Sequence, residues 1–313
     1  MRELYAPIEP YESGIFAADG GHRIYWELCG NPRGRPAVFL HGGPGGGCNP
    51  DNRRLFDPER YRVLLFDQRG CGRSRPLGAV ADNTTAHLMA DMESLRRLTD
   101  VDRWVVLGGS WGAALALAYA QTFPERVDAL VLRGCFTARA SELHWLYQEG
   151  ASLVFPEAWD EFIGPIPLQE RKDLLRAYYL RLTCGNASTE RSAARAWCTW
   201  EHQALTLMPQ QAPLSRDDEA LRALARLETH YFVHRAFLSE AQLLKHMDRV
   251  AHIPGILVQG RYDMVTPAAT AWSLHRAWRA SALRMMPDAG HASSEPAIRA
   301  ALVEATDALV HED

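Results

Sequence analysis

Strand-like runs alternate with helix-like runs over the first 137 residues, vanish between 138 and 245, and resume from 246 onward. That interruption constrains the fold more than any single motif. In the first stretch, Ala37–Leu40, Arg62–Phe66, Trp104–Gly108 and Ala129–Arg133 are short apolar runs bounded by Gly, Pro or Asp, as buried strands are. Between them, Thr85 to Thr99 and Gly112 to Thr122 carry helical spacing. Strands joined through helices are parallel, with the helices packed on both faces of the sheet. Gly14–Ala17 and His22–Leu28 flank Asp19-Gly20-Gly21, which predicts an N-terminal hairpin.

Residues 138–245 are rich in Trp, Leu, Ala and Arg at helical spacing, and Pro156, Gly164-Pro165-Ile166-Pro167, Gly185 and Pro209 cut them into several helices. Gly255–Gly260 then returns as a strand, with a helix near Ala268–Ala280 and a strand at Ala282–Met286. The expected architecture is α/β: a mostly parallel sheet with helices on both faces and an inserted helical cap. The predicted division is 1–137 and 246–313 for the core and 138–245 for the cap.

Composition excludes several partners. The net charge is -4 and the cations are interspersed rather than clustered, so no nucleic acid is expected. No run reaches the ~18–20 apolar residues that cross a bilayer, and Met1–Pro7 has no apolar core of a signal peptide. The six cysteines form no C-x-x-C pair, which predicts free thiols, no metal site and a cytoplasmic protein.

Gly108-Gly109-Ser110-Trp111-Gly112 fits G-x-S-x-G where a strand meets a helix. There a tight turn lifts a serine hydroxyl above the sheet at a helix N-terminus. A serine needs a base to take its proton, and in the α/β-hydrolase fold the chain order is Ser, acid, His. Asp263 follows the Gly255–Gly260 strand and His291 follows the next one, so both lie at the strand ends where open α/β sheets build their sites. Ser110 is the expected nucleophile, Asp263 the orienting acid and His291 the general base. Asp288 is a rival acid that reads better as a turn former. His41-Gly42-Gly43-Pro44-Gly45-Gly46-Gly47 follows the Ala37–Leu40 strand. Its glycines free backbone N–H groups to face a substrate oxygen, and the N–H groups of Gly43 and Trp111 are the expected oxyanion donors. His41 reads as a loop-packing residue. Such a triad completes acyl transfer with water, so no cofactor is implied.

Together with Asp67-Gln68-Arg69-Gly70-Cys71-Gly72-Arg73-Ser74 and Gln259-Gly260-Arg261-Tyr262-Asp263, these segments resemble the proline iminopeptidases, α/β-hydrolase serine peptidases that remove N-terminal proline. The resemblance covers nearly the whole chain. It implies that Glu201, in Trp197–Glu201, and Glu228, in Leu227–Phe232, hold the substrate amine, and that Phe136, Tyr147 and Phe232 wall the proline-ring pocket. Peptides beginning with proline are then the expected partners. Two departures stand out: Val265 occupies a position where relatives often carry cysteine, and His202-Gln203 follow Glu201. Alternatives from the same fold are a broader aminopeptidase, an amidase or an esterase; from another class, a ligand-binding protein without turnover.

Overall fold

The computed structural model describes residues 2–208, 214 and 217–310. One sheet holds eight strands: β1 (Glu12–Ala17), β2 (Arg23–Gly30), β3 (Arg35–Leu40), β4 (Tyr61–Phe66), β5 (Trp104–Gly109), β6 (Val127–Arg133), β7 (Gly255–Gly260) and β8 (Ser281–Met286). Their spatial order is β1-β2-β4-β3-β5-β6-β7-β8. From β4 to β8 all neighbours are parallel, while β2 runs antiparallel to both β1 and β4. Each strand run read from the sequence is present, and the hairpin turns at Asp19–Gly21.

Helices cover both faces. In chain order they are α1 (Pro50–Arg53), α2 (Thr85–Leu98), α3 (Trp111–Thr122), α4 (Ala140–Tyr147), α5 (Pro156–Ile163), α6 (Leu174–Leu182), α7 (Ala187–Ala204), α8 (Asp218–Val233), α9 (Gln242–Lys245), α10 (Ala268–Ala277) and α11 (Pro296–Val310). Alternate strand residues sort onto two cores: Val38, Leu40, Val106 and Leu130 face α2 and α3, while Ala37, Phe39, Val105 and Val131 face α11. Helix α3 is apolar all round and buried from Trp111 to Gln121. A helix with no polar face belongs inside a protein, and this one lies between the sheet and the helices outside it.

Among the described residues, no strand occurs between β6 and β7; α4 to α9 fill that interval. Asn186 caps α7 by accepting from the Ser188 and Thr189 N–H groups, and Asp217 caps α8 in the same way through Glu219 and Ala220. Along α7, Ala193, Trp197 and Glu201 recur at four-residue steps on one face; along α8, Glu228 and Phe232 do the same. Helical period thereby delivers both carboxylates to one side of the inserted block.

The differences from the sequence reading have local causes. Helix α10 stops at Ala277 because Trp278 leaves it to donate its indole N–H to the Ile253 carbonyl at 2.9 Å, with its ring against Gly255. Helix α11 was not anticipated, although Ile298, Ala301, Leu302, Ala305 and Leu309 have the spacing of a buried face. Pro209, read as a helix break, lies outside the described residues.

Candidate active site

Ser110 lies between β5 and α3 with φ 58° and ψ -121°, a strained conformation for a residue with a side chain. Its glycine neighbours permit the turn. A Cβ on Gly108 would meet the Gly112 carbonyl at 2.2 Å, and one on Gly112 would meet the Leu40 carbonyl at 2.1 Å. Only glycine fits at either position, which accounts for both glycines of the motif.

His291 and Asp263 meet behind this turn. The Nδ1 of His291 lies 2.8 Å from Asp263 Oδ2. Asp263 is buried and accepts from the Val265 and Thr266 N–H groups at 3.0 and 2.7 Å, from the Thr266 hydroxyl at 3.0 Å, and from Gln259 Nε2 at 3.0 Å. Four donors on a buried carboxylate fix its orientation toward the imidazole. With Nδ1–H donating to Asp263, the Nε2 lone pair is left to accept a proton. Asp288, the rival acid, takes no part in this contact.

The Ser110 hydroxyl makes no hydrogen bond among the described residues. Instead Arg133, the last residue of β6, places Nη1 3.0 Å from His291 Nε2 and 3.1 Å from the His291 carbonyl oxygen. The sequence reading did not single out Arg133. Its signal was a charged residue ending an apolar strand on the edge where the site lies. Gln259 and Thr266 were also missed as acid-orienting residues, although Thr266 stands three residues after Asp263, a spacing at which a carboxylate readily takes a backbone N–H.

Opposite Ser110, the Gly42–Gly47 loop turns back on itself, with Gly46 N–H donating to the Gly42 carbonyl at 3.0 Å. A Cβ on Gly42 would approach the Gly109 carbonyl at 3.2 Å and Ser110 Cβ at 3.3 Å, so the loop rests on the nucleophile turn. Trp111 opens α3, where first-turn N–H groups have no intrahelical acceptor. Gln68 ties both parts together: Nε2 donates to the His41 carbonyl at 3.0 Å, and Oε1 accepts from the Trp111 indole at 2.9 Å. His41 packs within the loop, accepting from Gln68 N–H at Nε2, 3.0 Å away.

A cavity of about 450 Å³ opens above Ser110, and Gly43, Arg133 and His291 line its floor. Its roof is formed by Phe136, Tyr147, Phe232, Glu201 and Glu228. Thus every predicted substrate-contacting side chain lines the same cavity as the nucleophile. The aromatic rings interlock: Phe136 and Phe232 meet edge-on at 5.8 Å, and Tyr147 stacks on Trp197 at 4.3 Å. Glu228 is buried and accepts from the Trp197 indole at 2.7 Å; Glu201 accepts from the Tyr147 hydroxyl. Among the described residues, neither carboxylate has a cation within ion-pair distance. Burial pushes Glu201 up to about 7, and burial with the neighbouring Glu201 pushes Glu228 well above the usual carboxylate range.

Residues 36–297 match the family model described as alpha/beta hydrolase fold. A proline iminopeptidase of Xylella fastidiosa is 50% identical over 313 residues, covering 99% of this chain and 100% of its own. One from Xanthomonas citri is 50% identical over 98% of this chain and 99% of its own. The chain belongs to the proline iminopeptidase family. Among solved structures, an esterase from Exiguobacterium antarcticum superposes with a TM-score of 0.63 over 96% of this chain and 99% of its own, at 19% identity, and so shares the fold alone. The protein is therefore an α/β-hydrolase enzyme. Among the described residues, no helix is long and apolar enough to cross a membrane.

Proposed function

We propose that the enzyme releases N-terminal proline from peptides through an acyl-enzyme on Ser110. The observation that carries this reading is the pair Glu201 and Glu228, unpaired with any cation among the described residues, in the roof of the cavity that holds Ser110 and His291. A carboxylate pair without a counter-ion is costly unless its ligand brings the charge. A proline N-terminus brings one positive charge and two N–H donors, one for each carboxylate, and charge-assisted bonds are the strong kind. The rings of Phe136, Tyr147 and Phe232 offer apolar walls to the pyrrolidine methylenes.

With the ammonium held there, the first peptide bond lies over Ser110. His291 takes the Ser110 proton at Nε2 as Oγ attacks the carbonyl carbon; Asp263 stabilises the imidazolium. The oxyanion accepts from the Gly43 and Trp111 N–H groups. His291 then protonates the leaving nitrogen, and the peptide departs one residue shorter. Water, deprotonated by His291, attacks the prolyl ester and frees Ser110. Residues 138–245 act as a cap in this scheme, restricting the site to the end of a chain. We place the enzyme in a reducing cytoplasm, a reading supported by its six free thiols.

The test is a panel of prolyl amides with free and N-acylated nitrogen. Turnover confined to the free amines supports the reading. Equal kcat/KM on both would exclude an ammonium site and leave a general amidase or esterase.

A further inference from the structure

The mechanism above leaves Arg133 unused. Its guanidinium reaches the cavity floor beside the nucleophile: a Cβ on Gly109 would lie 2.4 Å from Nη2, and Nη1 touches His291 Nε2 at 3.0 Å. Among the described residues, no carboxylate comes within ion-pair distance of it. Its neighbours are the carbonyl oxygen and the Nε2 ring nitrogen of His291. Burial pushes the guanidinium below its ordinary value, yet arginine stays charged in proteins. The cavity therefore holds groups of opposite character: the Glu201–Glu228 pair, whose carboxyls burial pushes up, and Arg133, which has Asp263 nearby as an opposite charge but no direct ion pair with it.

A peptide substrate satisfies only the roof, because its carbonyl group is neutral. The acyl-enzyme likewise carries an ammonium and no anion. Free proline carries both charges. When water cleaves the Ser110 ester, its oxygen becomes the second carboxylate oxygen. One of its protons returns to Ser110 through His291, and the other is lost as the acid ionises. The new carboxylate appears where the acyl carbon stood, within reach of Ser110 Oγ and His291 Nε2. Arg133 Nη1 occupies that same neighbourhood.

We propose that Arg133 is a carboxylate-binding residue and that the resting site is a receptor for the free secondary amino acid, held at both ends. This rests on the reading of the glutamate pair as the ammonium site. A consequence is product inhibition: zwitterionic proline competes with substrate more strongly than its ring and ammonium alone would. In the resting site the same guanidinium lies against the base nitrogen.

The test compares equilibrium binding of L-proline and L-prolinol, which keeps the ring and ammonium but replaces the carboxylate with a hydroxymethyl group. Hydrogen bonds to charged groups contribute about 1.5–3 kcal/mol, so wild-type enzyme should bind L-proline roughly 10- to 150-fold more tightly than L-prolinol. Arg133→Gln should abolish that preference and leave L-prolinol binding unchanged. Arg133→Lys, which keeps the charge, should restore part of it. Equal affinities in the wild type would overturn the proposal without any variant. So would equal losses for both ligands in Arg133→Gln, since they would show a role in the fold alone. Glu201→Gln separates the two readings: L-prolinol affinity unchanged there would sink the ammonium site, whereas the proline-to-prolinol ratio still reports on Arg133.

Discussion

The Trp197 ring stacks on Tyr147 at 4.3 Å, and each of these two rings donates one hydrogen bond to a carboxylate, Trp197 to Glu228 and Tyr147 to Glu201. One aromatic stack thus orients both acids, leaving their remaining oxygens for a ligand. Removing one partner of a buried charge contact costs roughly 2–5 kcal/mol. Glu201→Ala and Glu228→Ala should each lower kcat/KM for proline amides about thirtyfold to several thousandfold, at ~1.4 kcal/mol per decade. A small ester without an ammonium should lose far less. Glu219 on the exposed start of α8 is the control, and Glu219→Ala should be nearly silent. Equal losses on ester and amide would mean that the glutamates support the fold rather than read the substrate.

The same pair sets a pH dependence of substrate binding. Because Glu201 is pushed up to about 7, it is protonated below that pH, and a protonated carboxyl attracts an ammonium weakly. KM for proline amides should therefore rise as pH falls below about 7, while KM for the small ester stays flat. Glu201→Gln should remove this acid limb from KM. A limb of the same size with both substrates would assign it to another group.

Folding stability should respond with the opposite sense. The folded chain holds a proton on Glu201 that the unfolded chain has released above its ordinary value of 4.5. Stability from this group is thus fully present below 4.5 and is lost as pH rises toward about 7. At 1.36 kcal/mol per unit, the loss is at most about 3 kcal/mol. Urea midpoints measured at pH 5 and pH 8 should show a smaller fall in Glu201→Gln than in the wild type. An identical fall would show that Glu201 titrates alike in both states.

Those expectations rest on residues visible in the sequence to different degrees. Ser110 was legible because the close packing at Gly108 and Gly112 demands glycine on both sides of the turn, leaving a mark on the sequence. Asp263 and His291 were legible because parallel strands deliver their following loops to one edge. Glu201 and Glu228 came from resemblance; helical spacing alone shows a face, not which cavity it meets. Arg133 was hidden because a charge ending a strand is common, and only the tertiary fold brings β6 beside His291. Helix α11 was overlooked because its buried face is largely alanine, whose weak hydropathic contrast blurs the period.

The triad should behave as one unit. Ser110→Ala should reduce kcat by several orders of magnitude with the fold intact, because each member is useless without the others. A serine-directed phosphonate should label Ser110 stoichiometrically. Asp263→Asn loses the charge that stabilises the imidazolium and leaves an amide that can favour the wrong histidine tautomer, so kcat should drop about 10⁴-fold. Near-normal turnover in Ser110→Ala, or labelling elsewhere, would require a different nucleophile; near-normal turnover in Asp263→Asn would require a different acid.

Gln68 clamps the two backbone segments expected to supply the oxyanion donors. Its Nε2 holds the His41 carbonyl, two residues before Gly43, and its Oε1 holds the indole of Trp111 itself. Removing an oxyanion donor costs about 10²–10³ in kcat; loosening the support of both should cost less, about tenfold to a hundredfold. Gln68→Leu fills similar space but strands a buried carbonyl and a buried indole N–H, so stability should also fall by about 1–3 kcal/mol. Gln68→Glu keeps the acceptor for Trp111 and loses the donor to His41, so its kcat should be intermediate. The oxyanion forms with every acyl substrate. Proline amide and small ester should therefore lose kcat in equal proportion, with KM nearly constant, unlike the glutamate variants. Steady-state kinetics on both substrates beside a thermal melt would decide the matter: a lowered Tm with unchanged kcat would confine Gln68 to holding the loop in the fold.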